Sequence, residues 1–168
     1  MFAAALFVYR LLLWLLTPWL ALVVALHPRW RLGARERWGL VTPEVEPGAV
    51  WIHAASLGEG RVAAALIPAI RATVEHAEVV RTCTSITART QVVGADQTLY
   101  CPLDAPFAVN AFLDRLRPRC LVLAEAELWP VLLEACRTRG IPIAVVNAAW
   151  NTLFPTAIPA GTPIFARC

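Results

Sequence analysis

The sequence predicts an α/β fold: a parallel sheet with crossover helices, preceded by an N-terminal membrane-anchor helix. Three observations lead to this prediction. From residue 49 onward short apolar runs alternate with helical stretches, two of those runs are apolar throughout, and the first 26 residues are almost wholly apolar. Such alternation is typical of a parallel sheet. Uninterrupted apolar strands suit a sheet that is covered on both faces.

Composition limits the class of protein. A chain of 168 residues is long enough for one domain with a core, and its hydrophobic content of 58% is concentrated near the N-terminus. A membrane-attached globular domain fits this better than a protein with several spans. A net charge of +3 without a basic run argues against nucleic acid as the main partner. The scattered cysteines favour buried thiols over a disulfide framework or a metal site; they are Cys83, Cys101, Cys120, Cys136 and Cys168.

Residues 1–28 are predicted to form the membrane anchor. The apolar run is broken by Arg10 and by Thr17-Pro18, and arginines follow it at once at positions 29, 31, 35 and 37. By the positive-inside rule, the domain after the anchor then lies in the cytoplasm. Because Pro18 could kink the helix, and tryptophans 14, 19 and 30 suit headgroup level, an anchor that spans and one that lies in the membrane plane both stay open.

The rest of the chain divides into three segments. Residues 29–48 form a basic connector, 49–150 a Rossmann-like domain, and 151–168 an irregular tail with three prolines, where the domain looks unfinished. Strands are predicted near 49–54, 78–83, 97–101, 119–125 and 141–147, and helices near 59–72, 86–93, 106–116 and 129–139. No Gly-x-Gly-x-x-Gly or Walker loop is present, which disfavours dinucleotide and P-loop nucleotide binding.

Glu59 follows the first predicted strand at the start of a helix. Ligands of open α/β sheets dock at such strand-to-helix turns, which makes Glu59 a candidate for chemistry. Ser56-x-x-Glu59 equally fits a capping box, in which Glu59 only binds the amide of its own helix start. Spacing alone favours the cap.

Glu125 and Glu127 follow the fourth predicted strand. If that strand is still extended there, side chains two apart share a face, and both carboxylates project beyond the sheet edge. The alternative is that they only complement the dipole of the next helix. Together with Glu59 they would meet at one carboxyl edge of the sheet, as a ligand cleft requires.

Other polar groups carry weaker signals. The hydroxyl-rich turn after the second strand could bind sugar or phosphate oxygens, but such residues more often cap the following helix; it contains Thr82, Thr84, Ser85 and Thr87. His53 is expected to be a satisfied core histidine, and Asp104 a helix N-cap. Asn147 follows the fifth strand at the same edge as the glutamates. Arginines 115, 117 and 119 precede strand four and are expected to be solvated at the opposite edge.

Five motifs resemble those of the 3-deoxy-D-manno-octulosonic acid (Kdo) transferases over roughly residues 35 to 148. The stretch from Trp51 to Glu59 resembles the family's H-x-x-S-V-G-E signature, and Glu125-Ala126-Glu127-Leu128-Trp129-Pro130 resembles E-x-E-L-W-P-N. Similar matches are Arg37-Trp38-Gly39, the run from Leu103-Asp104-Ala105-Pro106 to Arg117-Pro118, and Gly140-Ile141-Pro142 through Asn147-Ala148.

The resemblance implies an inner-membrane, cytoplasm-facing glycosyltransferase of GT-B type, of which this chain is the N-terminal, acceptor-side domain. Such enzymes transfer Kdo from CMP-Kdo to a lipid A precursor with inversion. We expect neither a cofactor nor a metal in this chain. Glu59 would be the general base. The acceptor-binding residues would be Ser56, Gly58, Thr84, Thr87, Glu125, Glu127 and Asn147.

The sequence also departs from the family's pattern. Val131 replaces the asparagine after Trp-Pro, Ala88 replaces the glycine that ends the threonine-rich loop, and Ala149 replaces the arginine after Asn-Ala. The nucleotide-sugar domain, which would bind CMP-Kdo, is absent from these residues, so the chain alone is expected to be inactive. The alternative is a membrane-anchored binding or remnant domain without catalysis, whose carboxylates only cap helices.

Overall fold

A computed structural model describes residues 2–41, 43–127 and 129–146, with side chains from residue 7 onward. The strands are β1 (Val50–His53), β2 (Val79–Cys83), β3 (Gln97–Tyr100), β4 (Cys120–Leu123) and β5 (Ile143–Val145). The helices are α1 (Phe2–Leu26), α2 (Pro28–Arg31), α3 (Ala34–Arg37), α4 (Leu57–Thr73), α5 (Ile86–Arg89), α6 (Pro106–Leu116) and α7 (Pro130–Thr138).

The strands form one parallel sheet in the order β3-β2-β1-β4-β5, which confirms the predicted α/β fold. The chain builds outward from β1 to β3 and then returns to the other side of β1 with β4 and β5. In open parallel sheets this reversal leaves a crevice outside the carboxyl ends of the two central strands. Those strands are β1 and β4, so the topology alone places the candidate site.

Alternate residues of the central strand face two apolar layers. Trp51 packs towards α6, and its ring lies 4.9 Å from that of Phe112. Ile52 faces the opposite layer and packs in one cluster with Ile67 of α4. Each of these side chains is at most 2% exposed, and burying one contributes about 1.5–3 kcal/mol. Because both faces are covered, the strand is apolar up to its last residue, His53.

Two helix boundaries differ from the prediction. Helix α4 begins at Leu57, two residues early, because Ser56 caps it. Helix α5 is only Ile86–Arg89, although a helix was predicted near 86–93. The buried guanidinium of Arg81 donates to the carbonyls of Ala88 and Gln91. The Ala88 carbonyl also accepts the Gln91 amide at 3.2 Å, so the helix closes with a tight turn rather than continuing.

Helix α1 runs through Pro18 without a break. Within it, Phe7–Leu26 is 20 residues long with a mean hydropathy of 1.9, which is long and apolar enough to cross a membrane. Helices α2 and α3 are single turns; α2 begins at the last residue of the predicted anchor, and α3 lies in the basic connector.

Four of the five cysteines lie in the described part of the chain, and all four are buried, as predicted. Cys168 and the tail 151–168 lie outside the described residues.

Candidate active site

The turns after β1, β2 and β4 form one continuous rim at the carboxyl edge of the sheet. The amide of Ala54 donates to the carbonyl of Thr82 at 2.9 Å, that of Ala124 to His53 at 2.9 Å, and that of Thr84 to Ala55 at 3.1 Å. We call residues 54–59, 84–87 and 124–127 the carboxyl rim. Glu59, Glu125 and Glu127 belong to it, and it borders the crevice between β1 and β4.

Glu59 closes a capping box at the start of α4. Its amide donates to Ser56 Oγ at 3.3 Å, while its Oε1 accepts from the Ser56 amide at 3.1 Å and its Oε2 from the Ala55 amide at 2.9 Å. The capping interpretation is therefore confirmed. The side chain is 8% exposed. The amides orient the carboxylate towards the end of β1, and each of its oxygens keeps a further lone pair.

The helix start around Glu59 is open to solvent. Ser56, Leu57 and Gly58 are exposed, although their neighbours Ala55 and Glu59 are buried. A Cβ on Gly58 would meet only Ser56 Oγ, at 3.8 Å. A helix N-terminus attracts negative charge and presents free amides. A ligand could therefore reach the helix start beside Glu59.

Arg81 of β2 stabilises the turn after β1, a role that the sequence analysis did not predict. It is fully buried, and its guanidinium donates to the Ala54 carbonyl at 3.3 Å and to the Ala88 carbonyl at 2.9 Å. A Cβ on Gly60 would collide with Arg81 and Gln91, so glycine makes room for both. Burial lowers the pKa of Arg81, while Cys83 and the charge of Glu59 oppose that shift. The sequence signal that could have revealed this role is a single charged residue within a predicted buried strand, because a buried charge needs partners.

A buried hydrogen-bond network links β1 to the turn after β4. Thr82 Oγ1 lies 2.8 Å from both Trp51 Nε1 and His53 Nδ1. Glu127 Oε2 lies 2.8 Å from both His53 Nε2 and Trp129 Nε1. His53 is 1% exposed with both ring nitrogens bonded, so the predicted satisfied core histidine is confirmed.

If His53 is neutral, the donors in this network fix which tautomer it adopts. Trp51 Nε1 can only donate, so Thr82 accepts from it, and the hydroxyl proton of Thr82 goes to His53 Nδ1. The proton of neutral His53 then sits on Nε2 and is donated to Glu127. This arrangement gives a partner to both ring nitrogens of His53, to the two indole N–H groups and to Thr82 Oγ1.

Charge reinforces the contact between His53 and Glu127. Burial disfavours charged His53, but Cys101 and Glu127 outweigh burial and raise its pKa. The hydrogen bond from His53 lowers the pKa of Glu127, against burial and with help from Trp129. Glu127 is consequently ionised at neutral pH and held by two donors.

Glu125 and Glu127 do not share a face, because the strand ends at Leu123 rather than at 125. The amide of Glu127 donates to the Glu125 carbonyl at 2.9 Å, which closes a turn. Glu127 points to His53, whereas Glu125 is exposed. The extended-strand geometry expected for the pair is wrong.

The hydroxyl groups after β2 mainly organise the chain. Ser85 Oγ accepts from the Ala88 amide at 3.1 Å and caps α5. Thr84 Oγ1 donates to the Ala55 carbonyl at 3.1 Å, which ties the β2 turn to the Glu59 turn. Thr87 is exposed and contacts Ser85 Oγ at 3.3 Å. The capping interpretation of this turn is confirmed for Ser85.

Arg37 and Asp104 connect the rim to the rest of the chain. Arg37 is buried against Trp30 and Tyr100, with ring distances of 4.8 and 4.2 Å, and donates to the Thr84 carbonyl at 2.9 Å. Asp104 does not cap its own helix α6, whose N-cap Ala105 has no side-chain bond. It caps α7 instead, because its carboxylate accepts the amides of residues 131 and 132 at 3.2 and 2.8 Å.

The arginines at the opposite edge of the sheet are exposed to solvent, as expected. Arg115, Arg117 and Arg119 are exposed, as predicted. Two surface hollows lie at this edge rather than at the carboxyl rim; one is lined by Arg117 and Arg139 and the other by Glu78 and Arg119. Parallel sheets bind ligands at the carboxyl edge, so these hollows do not compete with the rim as the site.

Two remaining predictions concern Asn147 and metals. Asn147 lies outside the described residues. Within the described part of the chain, no group of three His, Cys, Asp or Glu side chains could hold a metal ion.

Comparison with known proteins gives a consistent result. The profile of the family described as "3-Deoxy-D-manno-octulosonic-acid transferase (kdotransferase)" matches residues 32–152. A 3-deoxy-D-manno-octulosonic acid transferase of Bordetella pertussis is 38% identical over 73% of this chain and 31% of its own length. The Haemophilus influenzae protein of that name is 30% identical over 84% of the chain and 36% of its own length.

A plant protein extends the comparison. The Arabidopsis thaliana protein named "Probable 3-deoxy-D-manno-octulosonic acid transferase, mitochondrial" is 34% identical over 87% of the chain and 35% of its own length. The chain thus spans about a third of the length of these curated relatives. It belongs to the 3-deoxy-D-manno-octulosonic acid transferase family and corresponds to the N-terminal domain of that family.

Proposed function

We propose that this chain is the acceptor-side domain of a glycosyltransferase that moves Kdo from CMP-Kdo to a lipid A precursor in lipopolysaccharide core biosynthesis. Family membership supports the sugar and the reaction class. Because the chain covers only about a third of its relatives, the groups that bind CMP-Kdo would come from a second domain. Residues 1–168 alone are then inactive.

The observation that carries this proposal is the placement of Glu59. Its carboxylate is oriented by two amides at an open helix start, beside the crevice between β1 and β4. A sugar hydroxyl is a weak nucleophile, and a positioned carboxylate that takes its proton during attack raises the rate by about 10²–10⁴-fold. Glu59 is the general base in this scheme.

The proposed reaction inverts the anomeric centre of Kdo. The acceptor oxygen forms a bond to the anomeric carbon as the bond from that carbon to the phosphate oxygen of CMP breaks. The hydroxyl proton passes to Glu59, and CMP leaves with the electron pair of the broken bond. In an inverting reaction the attacking oxygen and the leaving phosphate oxygen lie on opposite faces of the anomeric carbon. The acceptor domain therefore has to present the acceptor hydroxyl from the side away from the nucleotide.

The acceptor-binding groups proposed for this step are Ser56, Gly58, Thr84, Thr87, Glu125, Glu127 and Asn147. Exposure supports four of them, namely Ser56, Gly58, Thr87 and Glu125. Glu127 is already held by His53 and Trp129 through Oε2. Its Oε1 is the atom that we assign to an acceptor hydroxyl.

We place the enzyme at the inner membrane with the domain facing the cytoplasm. The apolar helix α1 supports attachment, and the arginines after it support the cytoplasmic side. Attachment keeps the rim at the bilayer, where a lipid acceptor resides.

The transfer itself is tested with the chain fused to the remaining two thirds of the Bordetella pertussis relative. We expect Kdo transfer to a lipid A precursor by the fusion and none by residues 1–168 alone. The control is Glu75→Gln, whose side chain is 91% exposed, and we expect it to leave transfer unchanged. A correctly folded fusion without transfer would contradict the proposal.

A second function is a binding or remnant domain without catalysis. The capping box favours it, since both Glu59 oxygens already accept amide protons and the residue is 8% exposed. Titration of lipid A precursor onto the detergent-solubilised chain separates the two forms of this alternative. A binding module loses affinity with Glu59→Ala and Glu127→Ala, whereas a remnant does not bind at all.

A further inference from the structure

Helix α1 has two different faces along its length. Tyr9 and Leu13 pack against the core cluster that contains Trp51, and Val24, four turns further on, is 3% exposed. The residues protected from solvent recur every three or four positions, which is one stripe of a helix; they are 9, 10, 13, 17, 20, 23 and 24. The opposite face is apolar and exposed, and Trp14 and Trp19 on it are 71% and 61% exposed.

The N-terminal half of α1 is bound to the globular domain. Tyr9 Oη donates to Asp104 Oδ2 at 3.0 Å, and Asp104 is the carboxylate that also caps α7. Arg10, the charged residue inside the apolar segment, is close enough to Asp104 for its charge to oppose the rise that burial causes in the pKa of that carboxylate. Its charge helps to lower the pKa of Glu134 of α7, after the larger effect of Arg137. The residue that disfavours a lipid environment therefore lies beside carboxylates of the domain.

This contact conflicts with a helix that crosses the bilayer. The distance from Tyr9 to Leu26 is about 26 Å at 1.5 Å per residue, close to the hydrocarbon thickness of about 30 Å. Leu26 leads directly into α2 and the domain, so a spanning helix would place Tyr9 near the far leaflet. The hydrogen bond to Asp104 instead keeps both ends of the segment on the side of the domain.

We propose that α1 lies in the plane of an anionic bilayer surface, with its protected stripe on the domain and its outer face in the lipid. The chemistry of the outer face of α1 indicates what it contacts. It is apolar with exposed tryptophans, and three exposed arginines stand directly after it at positions 29, 31 and 35. Apolar residues with an indole belt and adjacent cations suit the boundary between acyl chains and anionic headgroups.

The inference rests on the membrane attachment within the proposed function and is independent of sugar transfer. In-plane anchoring would hold the carboxyl rim at a fixed height above the lipid. A single crossing helix would leave the domain free to rotate about its tether.

The topology is tested by thiol labelling of the full chain in spheroplasts. Ala3→Cys in a Cys168→Ser background is exposed to a membrane-impermeant maleimide, with Val92→Cys, 93% exposed on the domain, as the cytoplasmic control. We expect both positions to react only after lysis. Labelling of position 3 in intact spheroplasts would overturn the in-plane anchor while leaving the transfer proposal untouched.

The contact with Asp104 is tested by Tyr9→Phe in phosphatidylglycerol vesicles, followed by amide hydrogen exchange over residues 7–13. Loss of the hydroxyl should speed exchange there about tenfold, and unchanged exchange would contradict the contact.

A comparison with phosphatidylcholine vesicles tests whether the surface that α1 binds has to be anionic. Each arginine near an anionic surface contributes about 1 kcal/mol, so replacing residues 29, 31 and 35 by glutamine should weaken phosphatidylglycerol binding about 100-fold. Equal binding of the unaltered chain to both lipids would overturn the anionic surface.

Discussion

The turns after β1 and β4 each hold a glutamate carboxylate in place, but the donors come from different parts of the chain. Each carries a glutamate whose carboxylate accepts two N–H donors at the carboxyl rim. Glu59 takes both donors from amides three and four positions away. Glu127 takes one from Trp129, two positions away, and the other from His53, 74 positions away on β1. The first turn is organised locally, whereas the second depends on the assembled sheet.

The comparison separates the roles that we propose for the two carboxylates. Glu127 braces the sheet and is ionised because His53 and Trp129 hold it. Glu59 belongs to an exposed helix start and is oriented by backbone that stays in place when the side chain changes. We therefore expect changes at Glu127 to reduce stability and changes at Glu59 to reduce catalysis.

The largest expected effect on stability comes from Glu127→Ala. It leaves the N–H groups of buried His53 and of Trp129 without their acceptor, which costs about 2–3 kcal/mol. Urea unfolding of the detergent-solubilised chain measures this change. A double-mutant cycle with His53→Ala should show clear coupling, and additive losses would break the comparison.

The same pair makes stability depend on pH. The pKa of His53 is raised from 6.5, so its contribution is complete below that pH and is lost as pH rises through the raised value. The pKa of Glu127 is lowered from 4.5, so its contribution is present above that pH and is lost on acidification through the lowered value. The unfolding free energy of the Glu127→Gln variant should change less with pH at both ends. Identical pH profiles for variant and unaltered chain would contradict the coupling.

The same division between local contacts and contacts that depend on the assembled sheet separates the residues that the sequence predicted from those that it did not. Apolar runs predicted the strands, and Ser56-x-x-Glu59 predicted the cap, because their signals lie within a few positions. The roles of Arg81, Arg37 and Asp104 were missed, since each binds a backbone group 7 to 47 positions away. Such partners are set by strand order, which no local pattern encodes.

A smaller effect is expected from Ser56→Ala in the local turn. Removal of the N-cap hydroxyl costs about 1 kcal/mol of unfolding free energy, because the amide of Glu59 loses its acceptor. Urea unfolding at neutral pH measures it. A loss as large as that of Glu127→Ala would show that this turn is not merely local.

The smallest effect is expected from Glu125→Ala, which serves as the matched control for Glu127→Ala. Glu125 is exposed in the same turn, and exposed substitutions change stability by about 0.5 kcal/mol or less. The measurement is again urea unfolding. A larger loss would mean that the turn after β4 depends on both carboxylates.

The central claim is that Glu59 acts as a base and not only as a cap. Its most direct test compares kcat of the fused enzyme bearing Glu59→Gln or Glu59→Ala, alongside the unfolding free energy of each. Glutamine can still accept one of the two amides and close the capping box, but its NH2 group cannot accept the other amide, and it cannot take a proton. We predict that both variants lose at least about 100-fold in kcat, while the alanine variant, which accepts neither amide, loses more stability than the glutamine variant. A glutamine variant that keeps its activity, with losses confined to the destabilised alanine variant, would contradict the account.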